Sequence, residues 1–172
     1  MNSSMAHVLY LLQAHKWKKN TNRPNVSGVD EERKKRWKQG NPGKPCFSYT
    51  FGLVNKRCFK DPKLSKISEQ EPEIYQALQD LAREIDPSFS YTSICVNKNM
   101  MAKPHVDGNN QGNSIIVGLG NYTGGELVVE YPDGNKVHDC KEKPCYFDGT
   151  VKHYTLPFQG DRYTIIYFSL KN

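Results

Sequence analysis

SIIVGLGNYTGGELVVEYPDGN, residues 114–135, is the stretch whose reading decides the fold. An apolar run to Leu119 is broken by a Gly- and Asn-bearing segment ending in Gly124-Gly125. A second apolar run reaches Tyr131 and meets Pro132-Asp133-Gly134-Asn135. Strand, turn, strand, turn at this spacing predicts antiparallel β structure.

The same rhythm continues on both sides. Strands are expected over 89–96, 114–119, 126–131, 144–147 and 163–170, with turns at Gly108-Asn109-Asn110 and Asp148-Gly149. Phe47, Tyr49 and Phe51 alternate with Ser48 and Thr50, the period of a strand. One helix is expected, because Ile74, Leu78, Leu81 and Ile85 share a face at helical spacing. Ser68-x-x-Glu71 resembles a capping box, Pro72 suits a first helical turn, and Asp86-Pro87 ends the helix. Many short strands between turns argue for a sandwich or barrel. The expected class is mainly β with flanking helices, arranged as a small jelly roll (a double-stranded β-helix).

Charge divides the chain at residue 44. Residues 1–44 carry ten Lys/Arg against three Asp/Glu, a net +7; residues 45–172 carry fourteen against fifteen, a net −1. The reading is a basic N-terminal arm over 1–44 and one domain over 45–172. Within the arm, Lys16-Trp17-Lys18-Lys19 and Arg33-Lys34-Lys35-Arg36-Trp37 join positive charge to indoles. Such a segment can neutralise phosphates and stack on bases, which makes nucleic acid, DNA foremost, the expected partner. It also suits a nuclear localisation signal if the source is eukaryotic.

No run of 18 apolar residues occurs, so no membrane span is expected. The apolar stretch 8–12 lacks a preceding basic region and reads as part of a short amphipathic helix rather than a signal peptide. Five cysteines without a C-x-x-C argue against a zinc ribbon, and read as reduced thiols of an intracellular protein.

The chemistry lies in His105-Val106-Asp107, His153 and Arg162. On a strand, residues i and i+2 face the same way, so His105 and Asp107 can aim at one metal and His153 can join from a distant strand. Two imidazoles and one carboxylate hold a divalent metal on one face and leave the other open, as in non-haem Fe(II) oxygenases. Zinc hydrolases use the same donors, but have no need for a carboxylate clamp. Arg162 with Thr164 two residues on supplies such a clamp: a forked donor and a hydroxyl on one face.

The ordered blocks H-x-D, Gly124-Gly125-Glu126-Leu127, Phe147-Asp148-Gly149, His153 and Gly160-Asp161-Arg162-Tyr163-Thr164 resemble those of the Fe(II)/2-oxoglutarate-dependent dioxygenases, over roughly residues 89–170. The resemblance implies His105, Asp107 and His153 as catalytic metal ligands. It implies Arg162 and Thr164 as the binding site for the distal carboxylate of 2-oxoglutarate, with Tyr91 reaching the cosubstrate from the preceding strand. The implied cofactors are Fe(II), 2-oxoglutarate and O2. The implied reaction decarboxylates 2-oxoglutarate to succinate and CO2 and hydroxylates a C–H bond. The Gly-Gly-Glu-Leu, Phe-Asp-Gly and Arg-Tyr-Thr blocks are similar to the TET/JBP-type branch, which implies the methyl group of a nucleobase (5-methylcytosine or thymine) in DNA as substrate. Prolyl hydroxylases share the first block, so a prolyl or lysyl side chain is the alternative. A non-catalytic nucleic-acid-binding protein with a vestigial jelly roll is a third reading.

Other residues carry less. Asn97 and Asn99 read as ordinary strand or loop residues, and 108–113 reads equally as a mobile lid or a solvent loop. His7, His15 and His138 read as surface histidines, and Met100 and Met101 as core or pocket lining.

Overall fold

The apolar stripe predicted over 74–85 becomes a helix buried against a sheet. The computed structural model describes residues 1–18, 45–55 and 60–171. In chain order the elements are α1 (Ser3–Ala14), β1 (Phe47–Val54), β2 (Lys63–Leu64), α2 (Lys66–Gln70), α3 (Pro72–Ile85), β3 (Ser93–Lys98), β4 (Ser114–Leu119), β5 (Tyr122–Gly124), β6 (Leu127–Tyr131), β7 (Gly134–His138), β8 (Cys145–Phe147), β9 (His153–Thr155), β10 (Phe158–Gly160) and β11 (Tyr163–Phe168).

The larger sheet runs β2-β1-β3-β11-β4-β8 and the smaller one β7-β6-β9, with β10 and β5 paired beside them. All the strand pairings are antiparallel. Two facing sheets with helices on the outside of the larger one form the expected jelly roll.

Helices α1 and α3 cover one face of the larger sheet. Met5, Val8 and Leu12 from α1 and Ile74, Leu78 and Leu81 from α3 pack on Phe51, Ile94, Val96, Val117, Ile165 and Tyr167. Leu78, Leu81, Val96 and Ile165 are fully buried; each such aliphatic side chain contributes about 1.5–3 kcal/mol. The Tyr167 hydroxyl donates to the Leu78 carbonyl at 2.6 Å, locking helix to sheet. The opposite face turns Ile116 and Ile166 toward Leu127, Val129 and Phe147. Strands β3, β4 and β11 are therefore covered on both faces, and their burial is nearly continuous rather than alternating.

Several expectations are corrected. Because α1 is packed into the core, residues 1–18 belong to the folded domain, and the boundary at 44 is wrong for them. Trp17 is part of this packing: its ring stacks on Tyr49 at 4.7 Å and its Nε1–H donates to the Leu12 carbonyl at 2.9 Å. An indole so engaged is not free to stack on a base. Lys16 and Lys18 are exposed beside it, whereas Lys19, Arg33, Lys34, Lys35, Arg36 and Trp37 lie outside the described residues. Ser68 is not a helix cap. The chain turns helical earlier, with Ser65 capping α2, and the buried Ser68 hydroxyl accepts the Gly52 N–H at 2.8 Å. The strand expected over 89–96 begins only at Ser93. The segment 108–113 is hydrogen-bonded to residues 169–171: Asn110 bridges to Leu170, Gln111 N–H donates to Ser169 O, and Lys171 N–H donates to Asn109 O.

Candidate active site

Between the two sheets lies a cavity lined by His105, Asp107, His153, Asn97, Thr155, Arg162 and Thr164, with apolar walls from Met100, Ala102, Ile116, Leu127, Phe147 and Ile166. About 460 Å3 in it is not filled by atoms, part of that open to solvent.

His153 is on β9, held to β6 by the pairing of Val129 with His153. His105 belongs to no strand. It makes a single antiparallel bridge to His153, with both backbone hydrogen bonds formed at 3.0 and 3.1 Å. Asp107 is placed by its own N–H donating to Gly149 O at 2.9 Å. The result is a cluster in which one ligand atom from each of His105, Asp107 and His153 lies within 4.8 Å of the others. The two Nε2 atoms stand 3.7 Å and 3.3 Å from the Asp107 oxygens.

Two features fit this cluster to a divalent metal. Nδ1 of His105 is 2.6 Å from Lys103 O, and Nδ1 of His153 is 2.7 Å from Val151 O. A carbonyl only accepts, so each Nδ1 carries the proton and each Nε2 presents its lone pair to the cluster. Donors about 2.1 Å from one ion and at right angles to each other stand about 3 Å apart, close to the separations seen. The His153 imidazole is further fixed edge-on by Phe147 at 5.3 Å.

Arg162 is 3% exposed. Its Nη2 donates to Gly125 O at 2.8 Å, Nη1 approaches Met100 O at 3.4 Å, and buried Nε has no partner. Tyr122 and Phe158 flank the guanidinium at 5.6 and 5.4 Å. Among the described residues no Asp or Glu forms an ion pair with it. Burial holds its pKa below the usual arginine value, with Tyr122 and Cys140 pulling the other way. Burying a cation without an ion-pair partner is costly, and the longer-range charge of Glu126 offsets part of that cost. Gly125 makes its seat possible. At φ +75° Gly125 occupies the left-handed region, and a Cβ there would meet Arg162 Nε at 2.6 Å. That gives the Gly-Gly block a physical reason.

Thr164 on β11, and Arg162 just before that strand, line the cavity, while Ile165 and Tyr167 enter the helix-covered core. Thr164 pairs with Asn97 on β3, so a hydroxyl and a carboxamide sit side by side. The helix-free face of the sheet thus offers a charged fork and two hydrogen-bonding groups beside three side chains that could hold a metal. This is the fold of the 2-oxoglutarate–Fe(II) oxygenases.

Solved structures with this fold carry the comparison. NgTET1 in complex with 5mC DNA superposes with a TM-score of 0.55 and 17% identity over 81% of this chain, which spans 66% of that one. A 2OG-Fe(II) oxygenase-family oxidoreductase from Burkholderia pseudomallei gives 0.51 and 16%, covering 95% of this chain and 88% of that chain. A prolyl hydroxylase from Trichoplax adhaerens, in complex with a hypoxia inducible factor peptide, gives 0.51 and 14%, covering 97% and 78%. No family model and no curated sequence matches the chain.

Within the oxygenase fold, the cavity brings together His105, Asp107, His153, Arg162 and Thr164. It does not include Tyr91, whose expected contact with the cosubstrate is corrected. Tyr91 packs edge-on against Tyr167 at 5.1 Å, on the helix-covered side. It precedes β3, so the alternation that would carry residues 91, 93, 95 and 97 to one face starts only at Ser93. Asn97, read from the sequence as an ordinary strand residue, and Thr155, which that reading did not name, line the cavity instead. Thr155 follows His153 by two on the same strand, and that parity was its only available signal.

Proposed function

We propose that the chain is an Fe(II)- and 2-oxoglutarate-dependent dioxygenase that hydroxylates a C–H bond. One observation carries the reading. A triad of two histidines and an aspartate shares a cavity with a buried arginine that has no acidic partner among the described residues. His105, Asp107 and His153 would hold the iron through two imidazole nitrogens and one carboxylate, leaving the opposite positions to cosubstrate and O2. Arg162 and Thr164 would receive the distal carboxylate of 2-oxoglutarate. Fe(II) and 2-oxoglutarate, when bound, supply the O2 activation that converts C–H to C–OH, with succinate and CO2 as coproducts.

The residues of the chain prepare the site for this chemistry. Carbonyls 103 and 151 fix the histidine tautomers, so no reorientation is needed when the metal binds. Ile116, Leu127, Phe147 and Ile166 give the cavity apolar walls beside these side chains. Asn97 offers a further hydrogen bond beside Thr164.

The substrate we favour is the methyl group of a nucleobase, 5-methylcytosine or thymine, in DNA. The likeness to NgTET1 bound to 5mC DNA and the net +7 of residues 1–44 support it. Such a base must leave the duplex stack to reach the iron, and a basic segment can hold the duplex meanwhile. The likeness to a prolyl hydroxylase, and the use of Trp17 by the core, support a protein side chain as the second reading. The test is mass spectrometry of methylated DNA, unmethylated DNA, RNA and candidate peptides after incubation with iron-loaded protein, 2-oxoglutarate and O2. Hydroxymethylated base together with stoichiometric succinate supports the favoured substrate. Hydroxylated peptide transfers the assignment to the second reading. Absence of succinate from every reaction refutes the enzyme.

A further inference from the structure

The guanidinium of Arg162 can act only if its backbone is held in place, and β11 has not yet begun at residue 162. The last ladder pair between β3 and β11 is Lys98 with Tyr163. One step further, Asn99 and Arg162 face each other without belonging to either strand. Asn99 N–H donates to Arg162 O at 2.7 Å, as a ladder would require. The return bond is different. Arg162 N–H donates to the Asn99 side-chain oxygen at 2.8 Å rather than to its carbonyl. The Asn99 amide then donates to an Asp161 carboxylate oxygen at 3.1 Å.

Asn99 has φ +55° and is 2% exposed. The left-handed turn swings its own carbonyl out of the ladder and sends the chain on so that Met100 O approaches the Arg162 guanidinium. The side chain replaces the lost acceptor. Glycine tolerates this φ best, and Asn and Asp tolerate it better than other residues. Of these, Asn and Asp can accept from Arg162 N–H, and only Asn can also donate to Asp161. The position therefore asks for asparagine on three separate grounds.

We infer that Asn99 is a positioning residue for the carboxylate clamp, setting the backbone of Arg162 and the carbonyl beneath its guanidinium. This rests on reading Arg162 as the anchor for 2-oxoglutarate. Asn99 touches neither metal donor nor cosubstrate in this role, so its effect should appear in cosubstrate affinity and not in metal affinity.

The experiment is calorimetric titration of the full chain with Mn(II) alone, then with 2-oxoglutarate in the presence of Mn(II), alongside thermal melts. Asn99→Gly keeps the turn and removes both side-chain bonds. It should weaken 2-oxoglutarate about tenfold while Mn(II) affinity stays within about twofold. Asn99→Asp places a carboxylate against Asp161 and should weaken 2-oxoglutarate similarly. The double variant Asn99→Asp/Asp161→Asn restores one donor and one acceptor and should return affinity to within about threefold of the parent. In turnover, KM for 2-oxoglutarate should rise in the single variants with little change in kcat. Unchanged 2-oxoglutarate affinity in both single variants overturns the inference, as does an equal loss of Mn(II) affinity. If Asn99→Gly does not fold, Asn99→Asp and its rescue decide alone, and failure of rescue overturns it. Arg162→Met separates the two levels. If that variant binds 2-oxoglutarate normally, the reading of Arg162 fails. If it loses binding while the Asn99 variants do not, only the role of Asn99 fails.

Discussion

Arg162→Met separates a functional cation from a structural one, because the two roles predict opposite balances of stability and binding. The structure gives both sides. The substitution removes the Nη2 bond to Gly125 O at 2.8 Å, worth about 1.5–3 kcal/mol for a charged donor. The 3.4 Å approach to Met100 O adds little. Against this, the variant no longer buries a guanidinium that has no ion-pair partner among the described residues and only a longer-range offset from Glu126, a burden of several kcal/mol. Methionine fills the slot between Tyr122 and Phe158 with apolar atoms. The two changes are of similar size, so stability should stay within about 2 kcal/mol of the parent, a Tm shift below about 8 °C for a chain of this length. Binding has no such offset. Losing the partner of a buried carboxylate costs about 2–5 kcal/mol, or roughly thirty- to several-thousand-fold in Kd for 2-oxoglutarate. Differential scanning fluorimetry and calorimetry with Mn(II) and 2-oxoglutarate read both numbers on one sample. The parent should also melt higher with added 2-oxoglutarate, and the variant should not. Parent-like affinity in the folded variant would refute the clamp. A Tm loss well beyond about 10 °C would show that the cation holds the fold.

Further outcomes follow from other residues. His153→Ala or Asp107→Ala should abolish Mn(II) binding by calorimetry while leaving the far-UV spectrum intact, since each removes one of the three candidate ligands and neither belongs to the helix-covered core. Gly125→Ala places a methyl 2.6 Å from Arg162 Nε at φ +75°; it should cost about 1–3 kcal/mol in denaturant unfolding and weaken 2-oxoglutarate more than Mn(II). Trp17→Ala removes the stack on Tyr49 and the bond to Leu12 O; it should cost about 2–3 kcal/mol of stability without changing the salt dependence of DNA binding. Replacing Lys19, Arg33, Lys34, Lys35 and Arg36 by Gln should lower DNA affinity and flatten its dependence on log salt; an unchanged slope removes the arm from the interface.

Legibility varied with how far each element depends on its neighbours. Strand Ser114–Leu119 has a long apolar run and was readable to the residue. Strand Gly134–His138 is polar and exposed, and exists because it pairs with β6 through the Tyr131-to-Gly134 turn. Its composition could only look like a turn. The three-residue strands β5, β9 and β10 have too few residues to show a period. Among site residues, the candidate metal ligands and Arg162 are chemically distinctive, whereas Asn97, Asn99 and Thr155 are common residue types given meaning by position. Tyr91, assigned to the cosubstrate by the resemblance and by an expected strand over 89–96, fell outside the site because β3 begins only at Ser93.

By itself the sequence determined the jelly-roll class and singled out the candidate metal ligands and the arginine. These depend on residue type and short-range spacing, which turn chemistry and coordination chemistry read directly. Tertiary structure alone decided which face each strand turns to the cavity and that α1 and Trp17 belong to the core. It also decided that Gly125 makes room for Arg162 and that Asn99 completes the ladder beside it. Those outcomes depend on pairing register and on contacts between residues far apart in the chain. One step along a strand reverses its facing, and nothing local in the sequence records that choice.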